Sequence, residues 1–211
     1  MPRKLSIAVA LAATVLTGAA VAQVDSISRN PVNVRSGIYE LDPAHGKITW
    51  SVDHMGFSTY VGQFTDVSAS LDLNVRKPTA SRLEAVIKTD SVGTFHDDLD
   101  KHLKSEDFLH SAKYPTAAFK ATGLRMVDQD TAAITGNLTL RGVTRPIVID
   151  ADFNQAGTNP VDKQYSVGFD GKARIKRSDF GINYGLPALG DTVTLHFEAE
   201  FKLKSPSQGK E

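Results

Sequence analysis

Six histidines and a run of carboxylates are the groups best able to carry acid–base or metal chemistry in this chain. His96 and His102 lie six residues apart with Asp97, Asp98 and Asp100 between them. On a helix that spacing points the two imidazoles to different sides of the axis, whereas helical metal pairs sit at i, i+3 or i, i+4. His102 and Glu106 have the i, i+4 spacing, but two ligands do not make a site. The stretch reads as a solvated helix face, and no metal is expected. His45, His54 and His110 fall near the ends of elements, and His54 is expected at a turn. Serines are plentiful, yet the Gly-x-Ser-x-Gly elbow of serine hydrolases is missing, as are the glycine-rich phosphate loops of nucleotide enzymes. The chain has no cysteine, so thiol chemistry is excluded. Arg177, in Arg174-Ile-Lys-Arg-Ser-Asp-Phe-Gly181, could meet a polar head group, but the segment reads first as a strand-end turn. There Asp179 would bond nearby backbone N–H groups and Gly181 would supply a positive φ. No catalytic residue is expected.

The elements around these groups are mostly strands. Leu195, Phe197, Ala199, Phe201 and Leu203 alternate with polar residues, as do Tyr165, Val167, Phe169, Ala173 and Ile175. The same period of two runs through Ile147–Phe153, Leu71–Val75 and Ile48–Val52, and shorter apolar faces occur at Leu83–Ile87 and Ile134–Leu140. Successive strand residues face opposite ways, so each segment has one dry side, as antiparallel sheets with a single apolar face require. Strands of ten or eleven residues span roughly 35 Å. Short turns separate them at Arg76-Lys77-Pro78, Asp128-Gln129-Asp130 and Arg141-Gly142. The pattern predicts an all-β fold, an extended antiparallel β-barrel of about eight strands with one or two short helices. A two-sheet sandwich shares the same alternation. Phe95, Leu99 and Leu103, four apart, form the apolar stripe of one helix within Phe95–Phe108. A second short helical turn is expected near His54-Met55-Gly56.

The aromatic side chains mostly occupy apolar-face positions. Each could be ordinary core packing. Together they suit a barrel whose interior holds one small ligand, although an eight-stranded barrel can equally be filled by its own side chains. The candidate lining or lid residues are Trp50, Phe57, Phe64, Leu99, Leu103, Phe119, Phe153, Phe169 and Phe197.

The ends of the chain read differently. Arg3 and Lys4 precede an apolar run from Leu5 to Leu16, and Ala20-Val21-Ala22 offers a small-x-small cleavage pattern. Residues 1–22 are expected to be a cleaved signal peptide, since the run is shorter than the roughly 20 apolar residues of a membrane span. Residues 23–37 read as a loose leader, 38–204 as one domain and 205–211 as a polar tail. Of 24 basic and 24 acidic side chains, Arg3 and Lys4 leave with the signal, so the mature chain is slightly acidic. That balance excludes a nucleic-acid binder gripping phosphates, and a cleaved signal leaves no stable membrane anchor.

The chain resembles the YceI-like family of bacterial exported lipid-binding proteins. The resemblance rests on Tyr39-Glu-Leu-Asp-Pro-Ala-His45, Ile48-Thr-Trp-Ser-Val-Asp-His54, Val61-Gly-Gln-Phe64, Asp100-Lys-His-Leu-Lys-Ser-Glu-Asp-Phe108, Lys113-Tyr-Pro115, Gly136-Asn-Leu-Thr-Leu-Arg-Gly-Val-Thr-Arg-Pro146 and Arg177-Ser-Asp-Phe-Gly181. It implies a lipocalin-like barrel, longer than a lipocalin, that holds a polyisoprenoid chain such as a quinone precursor. It also implies a periplasmic location, no catalytic residues and no cofactor besides the bound isoprenoid lipid. Gly46 follows His45 where the family commonly has serine. The expected function is a periplasmic binding or carrier protein for an apolar isoprenoid lipid. The alternatives are a lipid-modifying hydrolase or isomerase in the same pocket, and a ligand-free stress or partner-binding barrel. Barrels of this kind often pair, so a homodimer is possible on these grounds.

Overall fold

The computed structural model describes residues 26–206. The expected signal peptide lies outside them. Among the described residues, eleven strands form one antiparallel sheet: β1 (Gly37–Leu41), β2 (Lys47–His54), β3 (Ser58–Phe64), β4 (Val67–Leu73), β5 (Arg82–Lys88), β6 (Val92–Gly93), β7 (Thr116–Met126), β8 (Thr131–Leu140), β9 (Val143–Thr158), β10 (Tyr165–Lys176) and β11 (Leu189–Pro206). The single α-helix among the described residues is α1 (Asp97–Lys104).

The sheet closes because β11 is long enough to serve two partners on one edge. Its C-terminal half pairs with β1 and its N-terminal half with β2, while β10 runs along its other edge. β1 and β2 are thus one stave broken at Asp42–Gly46, β3 and β4 one broken at Thr65–Asp66, and β5 and β6 one broken at Thr89–Ser91. Eight staves result, each beside its neighbour in sequence, with the last returning to the first. Closure of one sheet decides for the barrel over the sandwich. It leaves no long unpaired edge in the closed part.

At the end of the barrel that holds the β2–β3 turn, the wall is incomplete. On the side of β3 away from β2, pairing is limited to Gln63 and Phe64 with β6. β7 begins only at Thr116, after the connection that contains α1. His96 caps α1, its ring Nδ1 accepting from the Leu99 N–H at 3.3 Å. Asp100 returns to Thr94, accepting from its N–H at 2.8 Å and its hydroxyl at 2.6 Å. Arg141, in the β8–β9 turn, donates to the carbonyls of Glu106 and Phe108 and ties the following loop to the wall.

Three local expectations differ from the structure. His54-Met55-Gly56 is not helical. Met55 and Gly56 both have positive φ (58° and 73°), and Phe57 N–H bonds His54 C=O at 3.1 Å, as in a tight two-residue hairpin turn. The leader is docked from Ser26 onward. Ser28 bridges Ala156, Tyr165 Oη accepts from Arg35 N–H, and the Arg35 guanidinium lies 4.7 Å from the Tyr165 ring centre. β11 runs on to Pro206, past the expected start of the tail, because Gly37 and Ile38 still offer it partners.

Candidate ligand cavity

The inward faces of the staves enclose a cavity of about 770 Å³. That volume lies in the range of small-molecule sites. Its wall is almost entirely carbon, with Leu83, Ile134, Ile147, Phe153, Phe169 and Phe197 among the residues around it. All six point inward yet are only partly buried, because each leaves surface bare toward the cavity. Of the residues expected from sequence, Trp50, Phe64, Leu99, Leu103, Phe119, Phe153, Phe169 and Phe197 border the cavity. Phe57 does not: it ends the β2–β3 turn and is 89% exposed. The hairpin turn carries it out of the barrel, which its aromatic type does not reveal.

Aromatic rings of this size would choke the lumen if they stood upright. They do not, because glycine lies beside three of them. A Cβ built on Gly62 would fall 2.3 Å from Cζ2 of Trp50, its cross-strand partner. One on Gly136 would fall 2.3 Å from Cζ of Phe119, and one on Gly171 would fall 3.2 Å from Cδ2 of Phe197. Each ring covers bare backbone on the next stave. Trp50 also stacks on Tyr60, their centres 6.4 Å apart.

Polar groups touch the cavity in several places: His102, Arg177 and Tyr184 near α1, Ser81, Gln129 and Asp130 at the opposite end, and Asp170 and Glu198 on β10 and β11. His102 borders the cavity at the α1 end and is only partly exposed to solvent. Its Nε2 is 3.0 Å from Asp107 Oδ2, and its ring meets Phe108 and Tyr184 edge-on. Its apolar neighbours Leu99 and Leu103 gave the sequence signal for this helix face, but the pairing with Asp107 lies beyond the helix and had none. Arg177 is buried, and it is no open head-group site. Its Nε donates to Gly190 C=O, Nη1 to Ile182 and Tyr184 C=O, and Nη2 to Leu189 C=O, at 2.8–3.1 Å. Burial lowers its affinity for the proton. The turn beside it has Gly181 at φ 75°, as expected, but Asp191 rather than Asp179 bonds the Ser178 N–H and hydroxyl. The hydrogen bond from Ser178 N–H, opposed by partial burial, holds the Asp191 carboxyl below the usual carboxylate range.

Outside the barrel, Asp42, His45 and Glu200 bring their ligand atoms within 4.8 Å of one another. The Lys202 ammonium already sits 2.6 Å from Asp42 and 2.5 Å from Asp162. His45 Nδ1 is 2.9 Å from the same carboxyl. The Lys202 hydrogen bond, then the one to His45, hold the Asp42 carboxyl well below its usual range, and the two carboxylates push Lys202 up. The group fastens the Asp42–Gly46 break to β11.

The profile of the YceI-like domain matches residues 39–201. The chain belongs to the YceI-like family. A UPF0312 protein of Azotobacter vinelandii is 39% identical over 163 residues, 77% of this chain and 84% of that protein. A UPF0312 protein of Pseudomonas aeruginosa (strain LESB58) is 39% identical over 164 residues, 77% and 85% of the two chains. The crystal structure of a Campylobacter jejuni YceI protein is 32% identical, covers 72% of this chain and 90% of its own, and has a TM-score of 0.64. A polyisoprenoid-binding domain from Saccharophagus degradans, implicated in plant cell wall breakdown, shares the fold at 17% identity with a TM-score of 0.59, covering 79% and 98% of the two chains.

Proposed function

We propose that this protein is a periplasmic carrier or sink for a long apolar isoprenoid lipid, polyprenyl or quinone-like, held inside the barrel. The observation that carries the reading is the carbon-lined cavity with its flattened rings. If each heavy atom of a guest takes about the 30 Å³ that a water does, the space suits roughly 25 of them, or about five isoprene units. Moving such a chain through water exposes apolar surface at roughly 25 cal/mol per Å², and the barrel wall removes that exposure. Family membership and the likeness of fold to a polyisoprenoid-binding domain support the same class of guest. Trp50, Phe64, Leu99, Leu103, Phe119, Phe153, Phe169 and Phe197 are its proposed contacts. The amino-terminal segment expected to be a signal peptide supports the periplasmic setting. Purification from the native host, solvent extraction and mass spectrometry should return near-stoichiometric isoprenoid lipid. An empty protein in repeated preparations would sink the reading.

A further inference from the structure

The end of the barrel beside α1 carries apolar side chains that the fold does not use. Phe95 is 97% exposed and Phe57 89%, and Val61 and Met55 beside them are more than half or half exposed. They belong together. Phe57 and Val61 alternate onto the outer side of β3, and Phe95 follows β6 two residues after Gly93, the partner of Gln63. The pairing stops there, and Phe95 sits in the short bend between β6 and α1, on the open side of β3. The backbone holds two of these side chains at a cost. Met55 and Phe95 have φ of 58° and 61°, a region that side-chain-bearing residues rarely occupy.

The patch is continuous with the cavity. Met55 is half exposed and also lines it, and Leu99, in the first turn of α1 just after Phe95, lines it too. A guest leaving at this end would meet apolar surface as soon as it left the wall. We infer that this tip, Met55, Phe57, Val61 and Phe95, is where the protein docks on a lipid bilayer. The surrounding charge selects the kind of bilayer. Asp97 and Asp98 stand next to Phe95, Lys101 pairs with Asp98 at 3.2 Å, and Asp53 accepts from Gly56 N–H. That rim has no basic excess to draw anionic lipid, so docking is apolar and suits a zwitterionic surface.

The inference rests on the carrier reading only for its purpose. The test is flotation of the full mature protein with phosphatidylcholine–phosphatidylethanolamine vesicles. Wild-type protein should float, salt should not release it, and added phosphatidylglycerol should not strengthen it. Phe57→Ser and Phe95→Asn should each lower the vesicle partition constant about tenfold; asparagine tolerates the positive φ, which guards the fold. Val161→Ser removes an equally bare side chain, 88% exposed, from the β9–β10 connection at the other end, and should change nothing. Wild-type protein that stays with the dense fraction, binding only to anionic vesicles, or equal loss in Val161→Ser would overturn the inference. So would tip variants that float normally but change the sedimentation of the protein, which would make the tip a contact between copies. Extraction of the same samples separates the two readings. Lipid in a protein that does not float removes docking alone, and flotation of an empty barrel removes the carrier alone.

Discussion

Alanine at Gly62 or Gly136 must displace the ring of Trp50 or Phe119, since the contacts would be 2.3 Å from rigid aromatic atoms. Each substitution should lower stability by about 1–3 kcal/mol, read as a fall in denaturant midpoint at unchanged slope. Each should also turn a ring into the lumen and reduce the lipid retained. At Gly171 the closest contact would be 3.2 Å, so alanine there should cost under about 1 kcal/mol. Acid sensitivity also belongs to this scale. The Asp42 carboxyl is held below its unfolded value of about 3.9, so its contribution to stability is complete above that pH. It is lost as pH falls through the folded value. Asp42→Asn should flatten the acid limb of a stability-versus-pH curve. An unchanged limb would place the acid response elsewhere. Sequence reasoning found the aromatic residues through the period of two but not the glycines that flatten them. A cross-strand glycine is adjacent only in space. Phe57 failed for the converse reason, because residue type does not say which side of a turn a side chain takes.

The elements that finish the barrel are held by arginines acting on backbone carbonyls. Arg177 satisfies four of them in the segment before and at the start of β11. Replacing it with methionine leaves buried acceptors unpaired and should cost about 3 kcal/mol or more, with faster amide exchange concentrated in residues 177–190. Arg141→Gln should instead release the Glu106–Phe108 loop, raising exchange around residues 105–115 with little change in global stability. Helix α1 was legible from the spacing of Leu99 and Leu103, and most strands from alternation. The breaks in the first three staves were not, because each is set by where a neighbouring stave stops pairing. The docked leader was hidden by its polar composition, since Val34 is its one buried side chain in the core and its other anchors are Arg35, Tyr165 and backbone groups.

For the whole molecule, stability and cargo are linked. A ligand that binds only the folded barrel stabilises it by RT ln(1 + [L]/Kd), about 2.7 kcal/mol at a hundredfold excess over Kd. Protein stripped of lipid should therefore melt lower and recover when an isoprenoid is restored; equal melting in both states would argue that the guest is incidental. Trp50, the single tryptophan, gives an optical readout of the same titration. Alternation could not separate barrel from sandwich, because the deciding contact joins Gly37–Leu41 to Phe201–Pro206 across almost the whole domain. That contact also orders events in time. β11 supplies a partner to β1, β2 and β10 at once, so all three keep an unmatched edge until the last strand is available. Closure then waits on the carboxyl-terminal residues, and long-range pairing of this sort is slow. A chain that cannot close before its end emerges stays threadable until then, as the proposed export through a translocation pore would require.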